Sequence, residues 1–327
     1  MTTTMRAVQI QQTGGPEVMA VAEVPVPEPG PGQLRVEVAA AGLNFIDTYF
    51  RNGTYPAPLP LLIGKECAGV VSAVGEGVEG FSIGDRVASP LANGTYAEQC
   101  LTSAPGTFHV PDQVELEMAA AVALQGLTAD YLVAGVYHLG PGNRCLIHAG
   151  AGGTGGLMIQ MAKARGAEVF TTVGTPEKAA IAAEAGADHV INYSEVDFAE
   201  AVRAQLGPDV AGLDVVYDGI GADTFDRSLT LLRPRGVLAL FGAASGQVPP
   251  FNLQRLNTGG SLFVTRPTLG DFIQPPEGQE RADRLFGAVI DGTLTVRIGA
   301  RFGLDEAGDA HRALEGRATT GKVLITP

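Results

Sequence analysis

The chain contains no tryptophan and only three cysteines among its 327 residues. Cys67, Cys100 and Cys145 are widely spaced in the sequence, and this odd number of cysteines neither suggests a disulfide framework nor supplies a CxxC metal pair. Cys67 and Cys145 lie in apolar, strand-like runs, where a thiol usually packs as a small buried hydrophobe. Cysteine chemistry is therefore not expected to carry the function.

Positive charge is also scarce. The chain has 22 Lys and Arg against 35 Asp and Glu, a net charge of −13, and no block of basic residues. This argues against nucleic acid or an anionic membrane surface as a partner. Residues 1–6 contain no apolar signal segment, and no uninterrupted apolar run reaches membrane-spanning length. The expected location is the cytoplasm.

Glycine, by contrast, is abundant, and one glycine-rich run organises the chain. Gly150, Gly152 and Gly155 follow the apolar run 144–148 and precede a helical pattern of buried positions. This is the position of a dinucleotide fingerprint on a strand-to-helix turn. The first glycine permits the turn, the second lets a pyrophosphate approach the backbone, and the third packs helix against strand.

The start of the predicted helix supplies the rest of this phosphate site. Unpaired N–H groups in its first turn, which includes Gly153 and Thr154, carry partial positive charge that favours phosphate. A structural glycine-rich turn is the alternative interpretation. The flanking strand and helix, and the pattern downstream, favour a cofactor.

The chain contains two regions with different sequence patterns. The first 125 residues alternate apolar and polar positions between glycine turns, for example at 33–39, 69–74 and 81–87, which predicts a small irregular β-barrel. From residue 144 strands and helices alternate, which predicts an α/β fold with a doubly wound parallel sheet. The predicted elements of this half and of the C-terminal region are strands at 168–173, 189–191, 213–217, 237–241, 261–265 and 294–298, helices from Thr175–Pro176, at 281–290 and from Asp305, and a last strand, 322–325, that returns to the first domain.

Several motifs resemble one known family, the zinc-independent quinone oxidoreductases (zeta-crystallin-like) of the medium-chain dehydrogenase/reductase superfamily. The resemblance extends from Met5 to Ile325. It rests on the order and spacing of Asn44–Tyr49, Arg51–Pro56, Val173–Thr175, Lys178, Ile191–Tyr193, Val216–Asp218, Phe263–Pro267 and Arg317–Thr319. It implies a chaperonin-10-like (GroES-like) catalytic domain at 1–125 and 268–327 around a Rossmann domain at 126–267, NADPH as reductant and quinones as acceptors.

The end of the second strand of the α/β half indicates the choice of cofactor. An NAD enzyme places a carboxylate there for the ribose hydroxyl, whereas a 2′-phosphate needs donors and positive charge. Here Gly174 and Thr175 end the strand, Lys178 follows, and no carboxylate precedes Glu177. This pattern favours NADPH. Alternatively, Lys178 is a solvated surface lysine.

Two tyrosines and an asparagine are the predicted catalytic groups. Tyr49 and Tyr55 could donate a proton to the acceptor oxygen, and Asn44 could orient the acceptor with its amide. The alternative is that both tyrosines only line an aromatic slot in which a quinone stacks. The resemblance places the nicotinamide in the cleft between the two domains. The expected contacts with NADPH, beyond the glycine turn and the 2′-phosphate group, are Asn44, Tyr49, Thr128, Tyr193, Phe241, Phe263, Thr265, Arg266 and Arg317. For Tyr193, predicted to cover the adenosine, ordinary packing is the alternative.

Zinc is not expected. Zinc relatives in the superfamily carry a ligating His in a Gly-His-Glu triplet, and this chain has Gly64-Lys65-Glu66. An ammonium group cannot replace neutral imidazole as a zinc ligand. The run from Asn44 to Tyr49 also replaces the region of a ligating cysteine. The sequence therefore predicts a metal-free and flavin-free enzyme.

The predicted function is NADPH-dependent reduction of quinones. An NADPH-dependent reductase of α,β-unsaturated carbonyls and a non-catalytic NADPH-binding protein remain the alternatives. The short apolar strand Ser261–Thr265 is expected at the edge of its sheet, where pairing with a two-fold mate would give a homodimer.

Overall fold

The computed structural model describes residues 3–327, so the first two residues of the segment 1–6 considered above lie outside the described residues. The chain divides into two compact units. Unit 1 contains the chain up to Leu127 together with Ile273–Pro327. Unit 2 is the continuous segment Thr128–Phe272.

The described residues form the following strands and helices. The strands are β1 (Thr4–Ile10), β2 (Ala20–Pro25), β3 (Gln33–Leu43), β4 (Leu61–Leu62), β5 (Glu66–Val74), β6 (Arg86–Ser89), β7 (Gln99–Ser103), β8 (Phe108–His109), β9 (Arg144–Ile147), β10 (Glu168–Val173), β11 (His189–Asn192), β12 (Leu213–Asp218), β13 (Leu232–Leu240), β14 (Phe263–Thr265), β15 (Ile298–Gly303) and β16 (Lys322–Thr326). The helices are α1 (Phe45–Arg51), α2 (Leu116–Tyr131), α3 (Gly153–Ala164), α4 (Pro176–Glu184), α5 (Phe198–Leu206), α6 (Phe225–Leu229), α7 (Gln254–Thr258), α8 (Leu269–Phe272), α9 (Glu277–Ile290) and α10 (Ala307–Glu315).

Unit 1 is organised around the long strand β3. Leu34, Val36 and Val38 of this strand are buried in the core of unit 1, and the residues between them are more exposed, as the period-two pattern predicts. β3 pairs with β5, β7 and β16, within a sheet of order β15-β16-β3-β5-β6-β8. A second, three-stranded sheet has the order β2-β1-β4. This is the predicted GroES-like arrangement, with the last strand returning to the first domain.

Unit 2 contains the predicted doubly wound sheet. Its six strands have the order β11-β10-β9-β12-β13-β14, and all five pairings are parallel. Every residue of β12 is buried, as expected of a strand covered on both faces. The carboxyl ends of β9, β10, β12 and β13 therefore meet at one edge, where such folds bind nucleotides.

Several strand predictions were wrong in their bounds. The alternation at 81–87 predicted one strand, but β6 begins only at Arg86. The Asp85 carboxylate accepts the Ser82 N–H at 2.7 Å and Gly84 takes a φ of 98°, which makes a turn. The strand predicted at 294–298 begins at Ile298, after a turn in which the Asp291 carboxylate accepts the Thr293 N–H.

The predicted strand at 261–265 is β14, and it lies at the edge of its sheet beside β13. It is shorter than predicted because Ser261 has a φ of 57°, which ends the extended conformation.

Helix α2 and the π-helical turn that follows it, Leu132–Val136, form one long apolar segment. By length and composition alone this segment could cross a membrane. Within the fold, however, 72% of the most apolar 18-residue stretch of this segment is buried, which is typical of the core helix of a globular protein.

Candidate active site

Helix α1 carries the first group of predicted site residues. Asn44 stands before its first turn in an extended conformation, and its backbone N–H donates to the Asp47 carboxylate at 2.9 Å. The Asp47 side chain therefore satisfies the backbone at the start of the helix. The Asn44 amide remains available for other partners.

Those partners form a buried polar network around Glu66 and Lys322. The Asn44 amide donates to the Glu66 carboxylate at 2.8 Å and accepts from the Lys322 ammonium at 2.9 Å. Lys322 also pairs directly with Glu66 at 2.5 Å. The three residues are 5%, 0% and 1% exposed, respectively, so the ion pair lies wholly inside unit 1. We refer to these three residues as the buried triad.

The triad is connected to helix α2 as well. The backbone N–H of Leu124 donates to Glu66 at 2.5 Å, and the Gln125 amide donates to the Asn44 oxygen at 3.1 Å. The second hydrogen of the Asn44 amide is donated to the Gly42 carbonyl at 3.2 Å. All hydrogen-bonding positions of the Asn44 amide are thus engaged within unit 1, and a ligand could contact this amide only by displacing one of them.

A second chain of hydrogen bonds ends at Asp47. The Arg51 guanidinium can only donate, so it donates to Nδ1 of His311 (2.9 Å), and the His311 proton is on Nε2, which faces the Tyr96 hydroxyl (3.4 Å). Tyr96 in turn donates to Asp47 at 3.0 Å. Burial, with Arg51 beside it, lowers the pKa of His311 to about 3. Arg51 is itself paired with Glu315 at 2.8 Å.

Asp47 lies at the end of this series of hydrogen bonds, and its environment is unfavourable for a charged carboxylate. Its second oxygen is buried and has no hydrogen-bond partner among the described residues. Burial raises the pKa of Asp47 to about 7, although the Asn44 N–H and the Tyr96 hydroxyl act in the opposite direction. Asp47 is therefore a carboxyl group that changes protonation near neutral pH.

The two predicted catalytic tyrosines lie together. The rings of Tyr49 and Tyr55 pack edge to face with centroids 5.3 Å apart, and Phe50 packs against Tyr55 at 5.6 Å. We refer to these three residues as the aromatic cluster. The ammonium of Lys65 lies over the Phe50 ring, 4.6 Å from its centroid, and donates to the Asn93 side chain at 2.5 Å.

In unit 2, the glycine turn has the geometry of a phosphate cradle. A Cβ atom at Gly150 would lie 2.1 Å from the Thr171 hydroxyl, and one at Gly155 would lie 2.3 Å from the Ala149 carbonyl. A side chain at Gly155 would collide with the backbone, and one at Gly150 would require Thr171 to move, so the chain approaches closely where the fingerprint requires it. Gly152 is the N-cap of α3.

The first turn of α3 completes this cradle. Gly153, Thr154 and Gly155 are its first three residues, and their N–H groups have no partner within the helix. The turn contains no acidic residue. Its partial positive charge is therefore open to an anionic ligand.

The predicted 2′-phosphate residues come together at the ends of β10 and β11. The Thr175 hydroxyl accepts the Lys178 N–H at 3.3 Å, which caps α4 as predicted. The Tyr193 hydroxyl would lie 2.6 Å from a Cβ at Gly174, so Tyr193 packs directly over that glycine. The Glu177 carboxylate also lies at this helix start, where hydrogen bonds from its own N–H and from Thr175 lower its pKa.

Three of the six remaining predicted cofactor residues lie at the ends of β13 and β14. Phe241 follows β13 and its ring packs over Gly219, while Thr265 pairs with Ala239. The Arg266 guanidinium donates to the Leu240 carbonyl at 3.0 Å. The three other predicted cofactor residues are Phe263 in β14, Thr128 in α2 and, in unit 1, Arg317 after α10.

Sequence reasoning missed Glu66, Lys322 and Gln125 as parts of the site. A signal was present for Glu66 and Lys322, because each is the first residue and the single charged residue of its strand, β5 and β16, respectively. Charged residues are almost never fully buried unless they are paired. Among residues 3–327, no three His, Cys, Asp or Glu side chains are grouped so that they could hold a metal ion.

Two family models match the chain. One describes an alcohol dehydrogenase GroES-like domain and matches residues 30–157, and the other describes a zinc-binding dehydrogenase and matches residues 153–274. A quinone oxidoreductase of Pseudomonas aeruginosa is 45% identical over 98% of this chain and 99% of its own length. The chain belongs to the quinone oxidoreductase family of the medium-chain dehydrogenase/reductase superfamily. The predicted family, with its GroES-like and Rossmann folds, is confirmed.

Two further relatives of this quinone oxidoreductase family are informative. A mycobacterial protein solved in complex with NADPH is 48% identical, with a TM-score of 0.95 over 99% of this chain and 100% of the other. A 2-haloacrylate reductase of Burkholderia is 43% identical over 98% of both chains.

Proposed function

We propose that this protein reduces quinones with NADPH by hydride transfer, without a metal or a flavin. The observation that carries the proposal is the closed glycine cradle that begins α3, in a chain 48% identical to a protein solved with NADPH. Family relatives named quinone oxidoreductases support the acceptor class.

The cofactor assignment is supported by the fit of unit 2 to NADPH. Gly150, Gly152 and Gly155 leave room for a pyrophosphate at the N–H groups of α3. Gly174, Thr175 and Lys178 offer donors and positive charge for a 2′-phosphate, and Tyr193 packs over Gly174 beside them. NADPH, when bound, supplies the hydride.

The acceptor residues are assigned to unit 1. The aromatic cluster offers ring faces and edges on which a quinone can stack. The hydroxyls of Tyr49 and Tyr55 can hold a hydrogen bond to the quinone oxygen as it gains negative charge. Water can provide the final proton, since a quinone accepts hydride without strong acid catalysis.

Asn44 acts here as a positioning residue. Its amide is already bonded to Glu66, Lys322, Gln125 and the Gly42 carbonyl. We propose that the buried triad fixes the start of α1 and thereby the direction in which Tyr49 projects. A ligand contact of the Asn44 amide itself remains a prediction.

The test is the loss of NADPH absorbance with a panel of quinones, with α,β-unsaturated carbonyls and with no acceptor. Turnover with quinones and none without acceptor is the expected result. A protein that binds NADPH and reduces none of the acceptors would overturn the proposal in favour of a non-catalytic role.

Reduction of α,β-unsaturated carbonyls is the second candidate activity. The 43% identity to a 2-haloacrylate reductase over 98% of both chains favours it. Fold and cofactor would be the same, and the panel separates the two because the better acceptor has the higher kcat/KM.

Metal independence, assembly and location complete the proposal. Lys65 and Asn44 are poor ligands for zinc, so activity should survive prolonged chelation.

The β14 edge, where Phe263 is 59% exposed, is proposed to pair with its two-fold mate in a homodimer, which light scattering can test. A cytoplasmic location is proposed from the reduced, buried cysteines. We assign the predicted domains 1–125 with 268–327 and 126–267 to units 1 and 2, respectively.

A further inference from the structure

Lys65 differs from Lys163 and Lys322, whose ammonium groups form ion pairs. Lys163 pairs with Asp188 at 2.7 Å, and Lys322 pairs with Glu66 at 2.5 Å. Among residues 3–327, the Lys65 ammonium forms no ion pair within 4.0 Å, and its hydrogen-bond and ring partners are the Asn93 amide and Phe50. Lys65 is a half-buried cation whose charge is not neutralised by a direct partner.

The surroundings of Lys65 compensate this charge only in part. Partial burial of the ammonium lowers the pKa of Lys65, and the charge of Asp47 acts in the opposite direction without outweighing it. Asp47 is itself a poor counter-ion because burial raises its pKa to about 7. A partly desolvated cation without a counter-ion is stabilised by an anionic ligand.

The position of Lys65 connects this charge with the acceptor residues. Its ammonium lies over Phe50, and Phe50 packs against Tyr55, which packs against Tyr49. Of the three N–H groups of the ammonium, one is donated to Asn93, so two can bond to a ligand. The aromatic cluster therefore has an apolar face and a positive end.

We propose that Lys65 is a specificity-determining residue that selects acceptors carrying a carboxylate or sulfonate beside the group that is reduced. The inference rests on the proposed function, because it takes the aromatic cluster as the acceptor site. The Burkholderia relative is named for an acceptor with a carboxylate, which agrees with this class of substrate.

The experiment compares a neutral acceptor, naphthoquinone, with its sulfonate. Lys65→Met is expected to raise KM for the sulfonate by about tenfold to a hundredfold, since the lost bond is charge-assisted. KM for naphthoquinone, kcat for both acceptors and the Kd for NADPH should stay within about twofold. Lys65→Arg should retain most of the preference because it keeps the positive charge.

Two controls separate a local contact from a general effect of charge. Lys163→Met removes the same charge from unit 2 and should leave the ratio of the two KM values unchanged. Added salt should weaken the sulfonate preference of the wild type and have little effect on Lys65→Met. An unchanged ratio in Lys65→Met, with normal turnover of naphthoquinone, would overturn the inference and leave the proposed function intact.

A failure of the proposed function would look different. In that case the wild type would turn over neither quinone, and calorimetric titration of the NADPH-loaded protein with naphthoquinone sulfonate would still decide the role of Lys65. Binding that is weakened by Lys65→Met and not by Lys163→Met supports the anion site. Equal binding by all three proteins, or none, refutes it.

Discussion

Glu66 in unit 1 and Asp218 in unit 2 are both completely buried, and the two carboxylates are stabilised in different ways. Glu66 in unit 1 is paired with Lys322 and bonded to Asn44, partners that are 256 and 22 positions away in the chain. Asp218 in unit 2 accepts from the backbone of the two residues at 220 and 221 and from the Thr224 hydroxyl, all within six positions. Among the described residues, Asp218 forms no ion pair.

This contrast separates two uses of a buried charge. The bonds of Asp218 are local and hold one loop at the carboxyl end of β12. The bonds of Glu66 hold together β3, β5, β16 and α2, which are remote in sequence. Removing a partner of Glu66 should therefore affect the whole of unit 1, whereas changes at Asp218 should affect a loop.

The largest effect is expected from Lys322→Met. It leaves Glu66 buried and uncompensated, which costs about 3–5 kcal/mol of unfolding free energy. The double variant Glu66→Gln with Lys322→Met should recover most of this loss, because no buried charge remains. Denaturant unfolding followed by far-UV circular dichroism measures both. Asp218→Asn, the matched change in unit 2, should cost less, about 1–3 kcal/mol. Equal losses for Lys322→Met and Asp218→Asn would refute the contrast.

Asp47 is the buried carboxyl of unit 1 that lacks both kinds of stabilisation. With its pKa raised from 3.8 to about 7, the folded chain keeps a proton that the unfolded chain releases above about pH 4. The free energy of unfolding should therefore fall as pH rises from about 4 to about 7, by about 4 kcal/mol at most. Asp47→Asn should remove this fall and make the variant relatively more stable above neutral pH. Parallel stability curves for wild type and variant across this range would contradict the assignment.

Changes in the two units should also affect different ligands. Lys178→Ala in unit 2 removes a charge-assisted bond to phosphate, so NADPH binding should weaken by about tenfold to a hundredfold. Binding of NADH and KM for the quinone should be nearly unchanged. Titrations with both cofactors measure this, and Lys163→Ala is the matched surface control. Equal weakening of NADPH and NADH would show that Lys178 does not contact the 2′-phosphate.

The smallest effect is expected from Tyr49→Phe in unit 1. Positioning matters more than acid catalysis for a quinone, so its turnover should fall less than about tenfold. An α,β-unsaturated carbonyl is less electrophilic and should lose more. Steady-state kinetics with both acceptor classes at saturating NADPH provide the measurement. A fall of about a hundredfold with a quinone, at unchanged binding, would make the Tyr49 hydroxyl a proton donor.

The parts of the fold that could be predicted depend on local signals. The glycine turn, the Thr175 cap and the alternation of strands and helices lie within short stretches of chain, and the structure places them as predicted. The strand at 81–87 was misplaced because its apolar alternation continues through a turn that a single carboxylate, Asp85, stabilises.

The residue types of the candidate site could be proposed from the sequence, but their connections could not. Tyr49 and Tyr55 are near in sequence, and their rings pack together in the structure. The interaction of Asn44 with Lys322 joins residues 278 positions apart, and no local pattern reports which strand will lie beside which. The sequence analysis expected the Asn44 amide to orient the acceptor, and it could not show that this amide also bonds to Glu66 and Lys322.

The position of β16 has a consequence for synthesis of the chain. This strand lies between β15 and β3, so the middle of the unit 1 sheet combines residues translated early with residues translated late. Unit 2 is continuous and is fully translated before β16 exists. Until Lys322 leaves the ribosome, the nascent β3 keeps an open edge and Glu66 has no counter-ion. We expect this interval to be the time when the growing chain is most exposed to association with other unfolded chains.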